Sequence, residues 1–200
     1  MKLILATNNA HKVREMKAIL APYYAELYTL REAGLDIEVE EDGATFEANA
    51  LKKAVETLAQ APGFDAAIAD DSGLMVDALG GAPGVYSARF AGEGHDDAAN
   101  NAKLMQVMQD VPEAERACRF VSAIALARRD GSTLCVRGEA EGTLLFEAHG
   151  IGGFGYDPYF YYAPLSGTFA ELSEEQKNEI SHRALALAKL QEVLRDANLS

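Results

Sequence analysis

The sequence predicts an α/β protein built on a mixed central sheet. Three observations carry that expectation. Short apolar runs of strand type are separated by stretches whose apolar residues recur at helical spacing. Two longer strand-like runs, Cys118–Arg128 and Thr133–Glu141, are joined by Arg129-Asp130-Gly131-Ser132, a hairpin signal that makes part of the sheet antiparallel. The remaining strands and helices mix without strict β-α-β alternation. No repeat, low-complexity stretch or separable linker interrupts the chain, so one domain over residues 1–200 is expected.

The elements follow in order. Lys2–Thr7 is an apolar strand ending in a polar break, Thr7-Asn8-Asn9-Ala10-His11-Lys12. Val13, Met16, Ile19 and Leu20 then mark a helix that Pro22 ends. Ala25–Leu30 is a strand, and the acidic stretch after it reads as a solvated loop. Thr45 is an N-cap for a helix that turns Phe46, Ala50, Val55 and Leu58 inward and stops near Pro62-Gly63. Ala66–Ala69 is a buried strand running into Asp70-Asp71-Ser72-Gly73, where the glycine lets the chain turn. Asp97–Met108 is helical, with Leu104, Val107 and Met108 apolar. Ser173-Glu174-Glu175-Gln176 is a capping box. Ser181 opens a last helix whose Leu185, Leu187, Leu190, Val193 and Leu194 can pack.

Composition narrows the function. A formal net charge of −13 argues against a nucleic-acid-binding face, which needs clustered Lys and Arg. It leaves room for an acidic small molecule held by a few local cations and a divalent metal. No apolar run approaches a membrane span, and the strand at Met1 is too short for a signal peptide's apolar region. Cys118 and Cys135 sit in strand-like sequence without a Cys-x-x-Cys, as packed thiols do. These points suggest a cytoplasmic, reduced protein.

Five segments can carry chemistry. At Thr7–Lys12 a strand end, a polar turn and a helix start aim backbone N–H groups and a positive dipole at one spot, which suits phosphate, and Lys12 adds a full charge. Asp70 and Asp71 are adjacent carboxylates whose repulsion a cation would relieve, and Mg²⁺ takes one or two carboxylates plus water and phosphates. Extended backbone points the two to opposite faces, so one enters the site while the other caps or orients; Ser72 can bond a ligand or the backbone. Either Glu40 or Glu41 could be a second metal carboxylate, and Lys53 lies two turns into the next helix. Gly152-Gly153-Phe154-Gly155-Tyr156-Asp157-Pro158 is a turn that a ligand can approach closely, with Phe154 to stack on a base and Asp157 to accept from a purine N–H. Finally, Lys177 precedes Ser181-His182-Arg183, which puts cations in a first helical turn where the dipole disfavours them unless they serve an anion or polar ligand. His11, His95 and His149 are not at metal-ligand spacing with one another, and His95 and His149 read as surface residues.

Taken in order, Ala6-Thr7-Asn8-Asn9 with Lys12, Thr45-Phe46 with Asn49-Ala50, Ala69–Leu74, Leu79–Arg89, Gly152–Pro158 and Ile180–Arg183 resemble the inosine triphosphate pyrophosphatase family, the non-standard purine NTP pyrophosphatases. The resemblance covers nearly the whole chain. It implies an elongated two-lobed α/β fold with a substrate cleft between lobes, a homodimer, and Mg²⁺-dependent hydrolysis of ITP, dITP and XTP to the monophosphate and pyrophosphate. By motif, Thr7, Asn8, Asn9, Ala10, His11 and Lys12 would bind triphosphate. Asp71 would be the general base and a metal ligand, and Ser72 would contact substrate. Phe154, Gly155, Tyr156 and Asp157 would hold the base with Lys177, His182 and Arg183, while Lys53 would add positive potential. The metal-binding Glu of the family lies in the acidic loop, which favours Glu41 over Glu40. Many members have Thr-Gly-Asn where this chain has Thr7-Asn8-Asn9, and Asn substitutes best for Gly at positive φ. The rivals are a Maf-type pyrophosphatase acting on modified pyrimidines and a nucleotide-sensing module that binds without hydrolysis. The paired turn and Ser181-His182-Arg183 argue against the first, and Asp70-Asp71 against the second.

Overall fold

The computed structural model describes residues 1–93 and 95–196. Its strands are β1 (Lys2–Leu5), β2 (Glu26–Thr29), β3 (Ala66–Val76), β4 (Ala117–Arg128), β5 (Thr133–Leu144), β6 (Phe160–Tyr162) and β7 (Gly167–Thr168). Its helices are α1 (Ala10–Leu20), α2 (Phe46–Gln60), α3 (Asp97–Val107), α4 (Glu174–Ile180) and α5 (His182–Asp196). The strands form one seven-stranded sheet in the order β2-β1-β3-β4-β5-β6-β7. β1 runs parallel to both β2 and β3, whereas β6 is antiparallel to β5 and to β7, so the sheet is mixed as expected. Among the described residues no helix is long and apolar enough to cross a membrane.

The chain divides into two compact units. The first comprises Met1–Asp71, Ser122–Gly138 and His182–Ser200; the second comprises Ser72–Val121 and Glu139–Ser181. In the first, Leu3 and Leu5 of β1 and Ala66 and Ile68 of β3 pack with Met16 and Leu20 of α1, Ile124 and Leu126 of β4, and Leu187, Leu190 and Leu194 of α5. In the second, Leu74, Val76, Leu104, Met108, Phe120, Leu144, Tyr156, Phe160 and Phe169 make a separate core. Its centre is aromatic: the Phe160 ring lies 4.6 Å from both Phe120 and Phe169, within the range where ring pairs add to plain burial.

Local signals place the helices. Thr45 caps α2 by accepting the Ala48 N–H, and Ser173 and Gln176 close the capping box of α4. The expected inward faces need correction. Val55, Val107, Leu185 and Val193 are exposed. In α2 the buried stripe runs through Phe46, Asn49, Ala50, Lys53, Ala54, Thr57 and Leu58, so polar side chains share the inward face. The strand expected to end at Ala69 continues to Val76, with Asp70–Gly73 in extended backbone. Gly73 therefore makes no turn; a Cβ there would strike the Ser87 side chain and the Gly84 carbonyl, so the glycine permits a close approach instead.

Candidate active site

In the first unit, the end of β1 delivers the polar turn expected to bind phosphate. Asn9 caps α1, its Oδ1 accepting the N–H of His11 at 3.0 Å and of Lys12 at 3.1 Å. Those two N–H groups are thus already satisfied, and an incoming phosphate oxygen must replace the Asn9 oxygen to use them. Asn8 donates from Nδ2 to the Ile37 carbonyl at 3.3 Å. Only His95 and Ser166 have positive φ among the described non-glycine residues, so Asn8 sits in ordinary backbone and carries none of the strain that a lost glycine could leave. Thr7 Oγ1 accepts the Asn9 N–H, and Ala10 and His11 are exposed at the start of α1.

Asp70 is fully buried and gathers donors around both of its oxygens. Lys12 Nζ lies 2.7 Å and Arg183 Nη2 3.3 Å from its Oδ2, and Ser122 Oγ donates to Oδ1 at 2.5 Å. Burial alone would raise the Asp70 pKa; the charges of Arg183 and Lys12 and the bonds from Lys12 and Ser122 outweigh it and hold the carboxyl well below its usual range. Arg183, only 1% exposed, also pairs through Nη1 with Glu15 of α1. Burial would lower its pKa, but Asp70 and Glu15 raise it above the ordinary guanidinium value. His182 is buried beside it at the start of α5.

Asp71 is held differently. Asn49 Nδ2 of α2 donates to its Oδ2 at 3.0 Å. Burial pushes the Asp71 pKa up; Lys53 and Lys12 oppose that, and the charge of Glu41 adds to it. Lys53 is buried and donates 2.7 Å to Glu41 Oε1 and 2.6 Å to the Asp70 carbonyl. Glu41 is half-buried in this pair while Glu40 is exposed, so the geometry favours Glu41 of the two. The cluster sets Lys12, Lys53 and Arg183 against Glu15, Glu41, Asp70 and Asp71. Burial is the main reason that the Asp71 carboxyl stays raised within this cluster.

In the second unit the glycine turn is tied tightly. Gly153 has φ +70°, and a Cβ there would collide with Asp157. Asp157 Oδ2 accepts the Phe154 N–H at 2.8 Å and pairs with Lys177 Nζ at 2.7 Å. Lys177 stands 4.7 Å from the centre of the Phe154 ring. The two aromatics part company: Phe154 is half-buried, whereas Tyr156 is buried with its hydroxyl donating 2.7 Å to the Ser87 carbonyl, and burial raises its pKa. Tyr156 is thus anchored in the core. Gly155 is half-buried, and Ser72 is half-buried within β3.

The structure brings Lys12, Lys53, Glu41, Asp70, Asp71 and Arg183 into one cluster within the first unit and Phe154, Asp157 and Lys177 into another within the second. The sequence reading omitted Glu15 and Ser122 and named Asn49 within a matching motif without giving it a role. Glu15 lies one helical turn from Lys12, a face-sharing signal, and Ser122 interrupts an otherwise apolar strand. No group of three or more His, Cys, Asp or Glu stands ready for a metal among the described residues. Asp71 and Glu41, close enough that the charge of one acts on the other, are nevertheless a hard-oxygen pair of the kind that Mg²⁺ binds together with water and phosphate oxygens.

A family model described as the Ham1 family matches residues 3–193. A relative from Desulforamulus reducens named dITP/XTP pyrophosphatase is 53% identical over 97% of this chain and 96% of its own. One of the same name from Clostridium perfringens is 46% identical over 97% of each chain. The solved Ham1 protein of Staphylococcus aureus superposes with a TM-score of 0.86 at 39% identity, covering 98% of this chain and all of that one. A nucleoside-triphosphatase, dITP/XTP pyrophosphatase, from Mycobacterium abscessus superposes with a TM-score of 0.76 at 44% identity, covering 95% and 98%.

Proposed function

The chain belongs to the Ham1 family, and from that premise we propose that it hydrolyses ITP, dITP and XTP to the nucleoside monophosphate and pyrophosphate. The observation that carries the mechanism is Asp71: buried, of raised basicity, steered by Asn49, and one residue beyond a carboxylate already neutralised by Lys12 and Arg183. Asp71 takes a proton from a water that attacks the α-phosphorus in line, and the bond to the α–β bridging oxygen breaks. Its neighbour Asp70 orients Lys12. Lys12 and Lys53 face the phosphates, with Thr7, Asn8, Asn9, Ala10 and His11 lining the approach. Asp71 and Glu41 would hold Mg²⁺, which when bound supplies positive charge against the phosphate oxygens.

The base falls to the second unit. Phe154 stacks on it, while Asp157 and Lys177 present an acceptor and a donor to its polar edge, with Gly155, Tyr156 and Ser72 shaping the contact. By the family pattern His182 and Arg183 belong with the substrate site, and Arg183 acts there through Asp70, which it holds together with Lys12. A 6-oxo group rewards a donor that adenine's 6-amino group would leave unsatisfied, so adenine nucleotides are rejected. We propose a single-domain homodimer acting on the cytoplasmic nucleotide pool. Hydrolysis of ITP in ¹⁸O-water tests the site of attack: the label should enter IMP, and label in pyrophosphate would refute attack at the α-phosphorus.

A further inference from the structure

Helix α3 grips one residue of the glycine turn from both sides of its backbone. Asp97 Oδ2 accepts the Gly155 N–H at 2.8 Å, and Asn101 Nδ2 donates to the Gly155 carbonyl at 2.8 Å. Residues four apart share a helix face, so one face of α3 supplies both bonds. Helix α3 is itself fixed at its far end. The buried Arg116 donates from Nη1 to the Met108 carbonyl at 2.9 Å and to that of Val111 at 3.3 Å, and from Nε to the Leu144 carbonyl at 2.9 Å.

Asn101 pays a penalty for its part. With Nδ2 committed to Gly155, its Oδ1 is buried and accepts no hydrogen bond among the described residues. A buried acceptor left unsatisfied is unfavourable, and an aliphatic side chain would fill the space without that penalty. The carboxamide is therefore explained by its bond to the turn, not by packing. The residues flanking Gly155 are the half-buried ring of Phe154 and, two on, Asp157 with its Lys177 partner.

We propose that Asp97 and Asn101 are positioning residues for base recognition: by clamping the Gly155 peptide they set the pose of Phe154 and Asp157 and hence the preference for 6-oxopurine triphosphates lacking a 2-amino group. The proposal rests on the reading of the turn as the base site. Loss of one clamp bond should show as about a ten-fold rise in KM for ITP, the scale of one net hydrogen bond. The variants are Asp97→Ala and Asn101→Leu, with Asp97→Asn as the conservative form that keeps an acceptor oxygen, and Phe154→Ala as the control on the turn. Steady-state kinetics with ITP and GTP, and a thermal melt of each variant, are the readouts. The clamp requires a raised KM for ITP with kcat little changed, a reduced preference for ITP over GTP, and recovery in Asp97→Asn. If Phe154→Ala raises KM while the clamp variants leave KM and preference untouched, the clamp is overturned and the base site stands. If Phe154→Ala also changes nothing, the base site falls and the clamp with it. An equal loss of kcat/KM for both nucleotides together with a lowered melting temperature makes Asp97 and Asn101 merely structural and overturns the proposal.

Discussion

Arg183 joins Glu15 and Asp70 where water scarcely reaches, so replacing it with methionine is a sharp test of the cluster. Methionine keeps much of the volume and removes the charge. Breaking a buried pair by deleting one partner costs about 3–5 kcal/mol, because the other charge stays buried. Asp70 retains Lys12 and Ser122, and Glu15 is 13% exposed, so the loss should fall near the lower figure, about 3 kcal/mol. For a chain of this size each kcal/mol moves Tm by about 2–4 °C, so Arg183→Met should melt about 6–12 °C lower in a calorimetric scan at neutral pH. Glu15→Gln in the same background should recover part of that loss, since it removes the stranded carboxylate. A melting temperature within about 2 °C of the parent, or strictly additive losses in the double variant, would refute the buried-pair account.

Asp71→Asn should cut kcat by at least about 10²-fold with no loss of melting temperature, and a normal rate in a pyrophosphate-release assay would remove Asp71 from catalysis. Chelation with EDTA should stop turnover and Mg²⁺ should restore it; full activity in EDTA would rule out the metal. Arg116→Met should destabilise the protein by about 2–4 kcal/mol in urea unfolding, because it strands several backbone carbonyls that the guanidinium satisfies; an unchanged midpoint would contradict that role. Burial lifts the Cys118 thiol to about 12 and the Cys135 thiol to about 11, so both are protonated at pH 8 and should resist alkylation until the protein unfolds; prompt labelling of the native protein would contradict this.

Much of this was legible in the sequence, for identifiable reasons. Caps announce themselves by residue type at fixed spacing, so Thr45 and Ser173 were readable without coordinates. The doublet at Asp70-Asp71 and the glycine turn stood out because clustered carboxylates and clustered glycines are both unfavourable without a purpose. Other features depend on tertiary packing. The burial of Asn49 and Lys53 on the inward face of α2 was hidden, because an amphipathic reading assigns polar residues outward and so picked Val55 instead. The continuation of β3 through Gly73 was hidden because the glycine is required by the approach of Ser87, a residue 14 positions on. The clamp on Gly155 was hidden because Asp97 and Asn101 read as ordinary surface positions of a helix until their backbone partner is known.

The most direct measurement is pyrophosphate release from ITP, XTP, GTP, ATP and dUTP by the purified protein with Mg²⁺. We expect equimolar monophosphate and pyrophosphate from ITP and XTP, with kcat/KM well above that for the other three. Orthophosphate as the product, a preference for dUTP, or nucleotide binding without turnover would contradict the account.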